Sequence, residues 1–109
     1  MFWKSKNELV ELGPDQVRQM MARHEAVLVD VREPNEFAQE HIPGAISFPL
    51  SRFDPKALPG DPSKVVFQCA TGRRSAMAVA RSQEAGMPAN AHLRGGIAAW
   101  KAAGLPTVR

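Results

Sequence analysis

Short apolar runs alternate with helix-like segments along the whole 109-residue chain. Strands buried on both faces are continuous apolar runs, whereas helices place apolar residues three or four positions apart. Alternation of the two predicts an α/β fold in which helices cover a parallel sheet. The strand-like runs are residues 8–12, 26–31, 44–50, 64–68 and 90–93. We predict one domain over residues 1–109, because this length suits a single core.

Proline and glycine residues mark the predicted helix ends and loops. The predicted helices are a segment that begins at Pro14, residues 33–40, residues 75–86 with Ser75 as N-cap, and residues 97–104. Residues 51–63 hold three prolines and a glycine, so we predict a loop with at most one helical turn. Phe2 and Trp3 precede the first strand and are a candidate partner contact if they are exposed.

The chain has one cysteine and three dispersed histidines, which argues against an intrachain disulfide framework and a metal site. A free thiol fits a reducing compartment. The N-terminus lacks the features of a signal peptide, and no apolar run approaches the ~20 residues that span a bilayer. We therefore predict a cytoplasmic protein that needs no cofactor, no metal and no membrane.

Charge is unevenly distributed between the two parts of the chain. Residues 1–61 hold seven basic and ten acidic residues (7 − 10 = −3), whereas residues 62–109 hold seven basic and one acidic (7 − 1 = +6). No aromatic residue lies within a basic cluster, so the pattern argues against a nucleic-acid interface. Attraction of a small anion to the second part is the simpler interpretation.

The lone cysteine, Cys69, ends a predicted core strand and begins the loop "CATGRRS". Ligands of parallel sheets bind beyond the carboxyl ends of the strands, where the free N–H groups of the next helix favour negative charge. Residues 70–74 can turn their amides inward as an anion-binding nest, with Gly72 allowing an unusual backbone conformation. These features favour a reactive thiolate over an inert buried cysteine, provided that solvent reaches the sulfur.

Two pairs of charged residues accompany this loop. We expect one of Arg73 and Arg74 to face the substrate and the other to pair with an acid such as Asp30 or Glu33. Asp30 and Arg32 are predicted to give structural support. Asp30 can brace the cysteine loop by hydrogen bonds, and the two residues can form an ion pair at the sheet edge; these roles are compatible. Among the histidines, His41 is expected to anchor a turn, and none has a spacing that predicts contact with Cys69.

Three segments together resemble the single-domain rhodaneses, a family of sulfurtransferases. They are "VDVREPNEFAQEHIPGAISFP" at residues 29–49, "CATGRRS" at residues 69–75, and "LRGGIAAWKAAGLP" at residues 93–106. The resemblance implies a three-layer α/β fold whose five-stranded parallel sheet has helices on both faces. It also implies that Cys69 is catalytic and that the rest of its loop binds substrate: Ala70, Thr71, Gly72, Arg73, Arg74 and Ser75.

The resemblance further implies a ping-pong reaction without a separate base. Cys69 takes the outer sulfur of thiosulfate, a small anionic donor, and passes it from a persulfide to cyanide or a thiol, which includes a thiol-bearing protein. One alternative is a sulfur-relay or binding module that takes sulfur from a protein partner. A cysteine-dependent phosphatase or arsenate reductase ranks lower, because those phosphatases use Cys-x5-Arg and here the sixth position after Cys69 is Ser75.

Overall fold

The computed structural model describes residues 8–109. The candidate contact at Phe2 and Trp3 lies outside these residues. None of the helices within this described range is long and apolar enough to cross a membrane.

Among the described residues, five parallel strands form one sheet, as the sequence and the resemblance predict. The strands are β1 (Val10–Leu12), β2 (Val27–Asp30), β3 (Ile46–Ser47), β4 (Val65–Gln68) and β5 (Ala91–Leu93). Their order across the sheet is β1-β5-β4-β2-β3, and every pairing is parallel. The third strand is much shorter than the predicted residues 44–50. The N–H groups of Phe48 and Leu50 still donate to the Asp30 and Val31 carbonyls, but a 3-10 turn begins at Leu50 and ends the strand.

In the part of the chain that the structure describes, four helices accompany the sheet: α1 (Pro14–Ala22), α2 (Pro34–Gln39), α3 (Arg73–Glu84) and α4 (Gly96–Ala102). The predicted start of the third helix at Ser75 is wrong. Gly72 is the N-cap and adopts a left-handed conformation (φ 115°), so the helix begins two residues earlier and Ser75 lies within its first turn. The prediction of at most one helical turn within residues 51–63 was also wrong, because this region has more.

Three short 3-10 turns occupy that region: Leu50–Arg52, Pro55–Ala57 and Pro62–Lys64. Asp54 caps the second turn by accepting a hydrogen bond from the Lys56 N–H. Asp61 caps the third in the same way, from the Ser63 N–H. In both turns the aspartate precedes a proline, and this pair of residues is a recognisable turn signal.

The core has two halves, one on each face of the sheet. Successive residues of a strand point to opposite faces, so Leu28 and Val29 of β2 belong to different halves. On one face, Val29 and Phe67 pack with Ala78 and Val79 of α3. The opposite half contains Leu28 and Val66 with residues of α1 and α4, namely Val17, Ile97 and Trp100. This arrangement confirms the three-layer α/β fold and directs the end of β4 toward α3.

Candidate active site

Cys69 lies at the centre of the sheet edge where the strands end. It follows β4, which has β5 on one side and β2 on the other. The side chain of Cys69 belongs to the half of the core that packs against α3, and that helix begins four residues later. The cysteine therefore occupies the position at which parallel sheets place ligands.

Amide groups of the loop and of the first turn of α3 surround the sulfur of Cys69. The Gly72 N–H donates to Sγ over 3.1 Å and the Ser75 N–H over 3.3 Å, while Ser75 Oγ lies 3.6 Å away. Burial raises the pKa of the Cys69 thiol, but hydrogen bonds from Ser75, Gly72 and Thr71 outweigh it and hold that pKa below its ordinary value. The loop thus stabilises a negative charge on the sulfur.

The first turn of α4 holds the cysteine loop from the other side. The Ile97 N–H donates to the Cys69 carbonyl over 2.9 Å, and the Ala98 N–H donates to the Ala70 carbonyl over 3.1 Å. Gly96 makes this contact possible, since a Cβ there would lie 2.6 Å from the Ala70 carbonyl carbon. With these carbonyls bound to α4, the loop can turn its amides toward the sulfur. Gly96 therefore has a structural role that the sequence pattern alone did not reveal.

Cys69 is almost completely buried, which contradicts the expectation of a solvent-accessible sulfur. Only 1% of the residue is exposed. The cause is the same ring of donors that stabilises the charge, because groups within hydrogen-bond distance of Sγ also cover it. Thr71 and Arg73 are the exposed residues of the loop. A reagent that reaches the sulfur must displace part of this cover.

The two arginines of the loop have different environments. Arg73 is exposed, whereas Arg74 is half-buried and donates two hydrogen bonds to Glu36, Nη1 to Oε1 over 2.8 Å and Nη2 to Oε2 over 3.1 Å. The Arg74 hydrogen bonds lower the pKa of Glu36 to about 2, and Glu36 in turn raises the pKa of Arg74. The expected pairing of one arginine with an acid is present, but the named acids, Asp30 and Glu33, were wrong. Both have other partners.

Asp30 is fully buried and binds Arg32. Its carboxylate accepts from the Arg32 backbone N–H and from Nε and Nη2 of the Arg32 guanidinium, with distances of 2.8 to 3.1 Å. Arg32 also donates to the Glu40 carbonyl over 2.7 Å. Within residues 8–109 the Asp30 side chain makes no hydrogen bond to the cysteine loop, so the predicted bracing of that loop is wrong. The pair instead fixes the chain between β2 and α2.

His92 is part of the site, although the sequence gave no reason to expect it. Its Nδ1 lies 2.7 Å from Ser75 Oγ and its Nε2 lies 3.0 Å from Glu11 Oε2. Glu11 and His92 are register partners on β1 and β5, so their side chains point to the same face of the sheet. This contact depends on a strand order that brings together residues 81 positions apart, and no local pattern announces it.

His41 is the histidine for which the sequence predicted a role, and it lies just after α2. Its ring stacks on Phe37 with the centroids 3.9 Å apart, and Nδ1 lies 2.8 Å from the Phe37 carbonyl oxygen. These contacts anchor the following turn, as expected. Within residues 8–109, no group of three or more His, Cys, Asp or Glu side chains is arranged to hold a metal ion.

Comparison with known proteins gives one consistent result. The model of the rhodanese-like domain matches residues 13–103. An uncharacterized protein of Synechocystis is 45% identical over 101 residues, which cover 92% of this chain and 56% of that protein. A sulfurtransferase of Allochromatium vinosum is 38% identical over 101 residues, which cover 90% of this chain and 94% of that protein.

Solved structures support the same relationship. The crystal structure of thiosulfate sulfurtransferase from Pseudomonas aeruginosa matches with a TM-score of 0.82 and 32% identity. The match covers 93% of this chain but 20% of the Pseudomonas chain. The present chain thus corresponds to one part of that protein, and to little more than half of the Synechocystis protein.

Proposed function

This chain belongs to the rhodanese-like domain family, and we propose that it moves a sulfane sulfur from thiosulfate, or a related donor, to a thiol or cyanide through a persulfide on Cys69. Family membership and the names of the relatives support sulfurtransferase activity in general. The observation that carries the proposal is the pair of N–H groups, from Gly72 and Ser75, that donate to the sulfur of Cys69.

The first half-reaction requires a thiolate. Cys69 Sγ attacks the outer sulfur of thiosulfate, an S–S bond forms to Cys69, and the S–S bond of thiosulfate breaks with release of sulfite. The negative charge moves from Sγ to the new outer sulfur, so the product is a persulfide anion. N–H donors at the N-terminus of a helix and in a turn stabilise such an anion without a protein cation in contact with it.

The second half-reaction returns the enzyme to its starting state. A thiol or cyanide attacks the outer sulfur, the persulfide S–S bond breaks, and Cys69 leaves as a thiolate. The amides that hold Sγ stabilise this leaving group as well as the nucleophile. Exposed Arg73, beside the loop, supplies positive charge that attracts an anionic donor.

Burial of Cys69 favours a second candidate function, a sulfur relay in which a protein partner supplies the sulfur. A partner that binds the exposed loop residues Thr71 and Arg73 could displace the cover over the sulfur, whereas a small anion has less binding energy for this purpose. Phosphatase activity has less support, because Glu36 already occupies the guanidinium of Arg74.

Intact-mass measurement tests the proposal. The protein is incubated with thiosulfate, desalted and weighed, in parallel with Cys69→Ser. We expect a gain of one sulfur atom that reductant removes and that the variant lacks. Since Cys69 is the only cysteine, the variant is a complete control for thiol chemistry.

Two further experiments distinguish this proposal from the sulfur relay and from a phosphatase. A sulfur gain from a persulfide-bearing desulfurase, but not from thiosulfate, would favour the relay. Turnover of an aryl phosphate that Cys69→Ser abolishes would favour a phosphatase. If neither thiosulfate nor a protein persulfide adds sulfur to Cys69, the sulfurtransferase proposal is wrong.

A further inference from the structure

A chain of hydrogen-bonded side chains leads from Cys69 to the protein surface. Sγ of Cys69 lies 3.6 Å from Ser75 Oγ, Ser75 Oγ lies 2.7 Å from His92 Nδ1, and His92 Nε2 lies 3.0 Å from a carboxylate oxygen of Glu11. Ser75 and His92 are buried, with 0% and 3% of their surfaces exposed, while 48% of the Glu11 side chain is exposed. The chain of contacts therefore begins at a buried sulfur and ends at a residue in contact with solvent.

The number of protons on Ser75, His92 and Glu11 determines the direction of each of these hydrogen bonds. An ionised Glu11 only accepts, so the contact with His92 requires a proton on Nε2. In a neutral ring, Nδ1 then accepts and the Ser75 hydroxyl must donate to it. In an imidazolium, Nδ1 donates to Ser75 Oγ instead, and the single hydroxyl proton of Ser75 is released for another acceptor.

Two acceptors can receive the released hydroxyl proton. One is the carbonyl oxygen of Gly72 at 3.2 Å, and the other is Sγ of Cys69. A thiolate carries a full negative charge, and hydrogen bonds to charged acceptors are about twice as strong as those to neutral ones. When Cys69 is ionised and His92 is protonated, the hydroxyl of Ser75 therefore points to the sulfur.

We propose that Ser75, His92 and Glu11 form a proton relay that takes the proton of the Cys69 thiol and stabilises the thiolate. The thiol proton passes to Ser75 Oγ, the former hydroxyl proton of Ser75 passes to Nδ1 of His92, and Nε2 keeps its proton toward Glu11. In net terms one proton moves from sulfur to nitrogen, and Ser75 exchanges one hydroxyl proton for another. His92 and Glu11 are positioning residues, since they act on Cys69 only through Ser75.

The relay deepens the proposed function, because it supplies the thiolate on which both half-reactions depend. It also gives a buried thiol a route for its proton that does not require water at the sulfur. Within residues 8–109, the titratable groups hydrogen-bonded to the relay residues are Glu11 from β1, His92 from β5 and Cys69 beyond β4. Ser75 is the contribution of α3.

The test is a titration of the Cys69 thiolate by its ultraviolet absorbance. The chain has one cysteine and no tyrosine, so the signal reports a single group. The variant His92→Asn keeps a side chain of similar polarity but cannot take up a proton. His24→Asn is the matched control, because His24 is exposed and its left-handed backbone conformation (φ 59°) suits asparagine.

We expect His92→Asn to raise the midpoint of the titration by about one pH unit, which is a tenfold change in the ionisation equilibrium of the Cys69 thiol. The control His24→Asn leaves the midpoint unchanged. Ser75→Ala also raises the midpoint, and adding His92→Asn to it raises it no further, since the two residues act as one unit. If His92→Asn instead loosened the cysteine loop without acting through Ser75, it would raise the midpoint in the Ser75→Ala background as well.

Glu11→Gln provides an independent readout if a change at buried His92 impairs folding. Glutamine keeps an acceptor for Nε2 but removes the charge, so we expect the midpoint to rise by about half a pH unit, a threefold change in the ionisation equilibrium. The relay is wrong if His92→Asn behaves like His24→Asn, or if the effects of Ser75→Ala and His92→Asn add. Because the titration uses no sulfur donor, these outcomes are independent of whether thiosulfate is the substrate.

Discussion

Replacing Gly96 by alanine tests the contact between α4 and the cysteine loop. Gly96 has φ +62°, a left-handed conformation that costs a residue with a Cβ about 1–2 kcal/mol. The added Cβ would also lie 2.6 Å from the Ala70 carbonyl carbon, and closer still to the carbonyl oxygens of Cys69 and Ala70. Overpacking of this kind costs about 1–3 kcal/mol. We therefore expect Gly96→Ala to lower the free energy of unfolding by about 3 kcal/mol.

Gly104→Ala separates the two contributions. Gly104 follows the same helix with φ +79°, but no atom lies within 4 Å of the position of its Cβ. This control carries the backbone cost alone, so we expect a loss of about 1–2 kcal/mol. Urea unfolding followed by circular dichroism measures both variants, and a domain with about 5–15 kcal/mol of stability stays folded in each case.

The site supplies a second readout of the same variant. If the Cβ of Gly96→Ala pushes the Cys69 and Ala70 carbonyls away from α4, the amides of the loop lose their alignment on Sγ. The midpoint of the thiolate titration then rises in Gly96→Ala and stays unchanged in Gly104→Ala. Equal stability losses in the two variants, with no change in the titration, would refute the reasoning that α4 holds the cysteine loop.

Two other contacts give predictions of measurable size. Glu36→Gln weakens the pair with Arg74, and we expect a loss of about 1 kcal/mol at neutral pH, since the pair is partly exposed. The pKa of Glu36 is lowered from 4.5 to about 2, so the stability that ionised Glu36 contributes is fully present above pH 4.5 and is lost as pH falls toward 2. Urea unfolding between pH 5 and pH 2 should therefore show that the difference in stability between Glu36→Gln and wild type narrows as pH falls. Trp100→Phe removes the Nε1–H bond to the Pro106 carbonyl (2.8 Å), and we expect a loss of about 2 kcal/mol in the same assay, where an unchanged midpoint would contradict this role.

The strands and the site loop were predictable because their signals are local. The apolar runs of β2 and β4 are buried on both faces, and such strands show their character in a few residues. Cys69 was recognisable because a strand end, a glycine and a helix start follow one another within a few positions. The alternation of elements predicted a parallel sheet and the resemblance implied five strands, but neither gave the strand order, since pairing between distant strands leaves no local trace.

The start of α3 was misplaced for a physical reason. Two arginines in the first turn oppose the helix dipole, so the sequence favours Ser75 as the cap. The structure overrides that preference in two ways. Gly72 takes the left-handed conformation that begins the helix, and Glu36 offsets the charge of Arg74.

Side-chain partners across the sheet were the least predictable part of the site. Asp30 and Glu33 were reasonable partners for Arg74 by charge, but Arg32 saturates Asp30, and Ser51 donates to Glu33 over 2.6 Å. The contact of His92 with Ser75 and Glu11 depends on register between β1 and β5. Charge and spacing in the sequence could not rank these partners, because several acids compete for each base.

The placement of Cys69 after the middle strand of the sheet has a consequence for the effect of mutations. β4 is hydrogen-bonded to a neighbouring strand on each side. Exchange of its amide protons with solvent deuterium therefore requires cooperative opening of the domain and not local fraying. A substitution at a sheet residue that has no contact with the site thus changes how many molecules are folded at a given moment, while each folded molecule keeps an intact site. Variants weakened at such distant positions should consequently lose activity in proportion to their unfolded fraction, while the rate of each folded molecule is preserved.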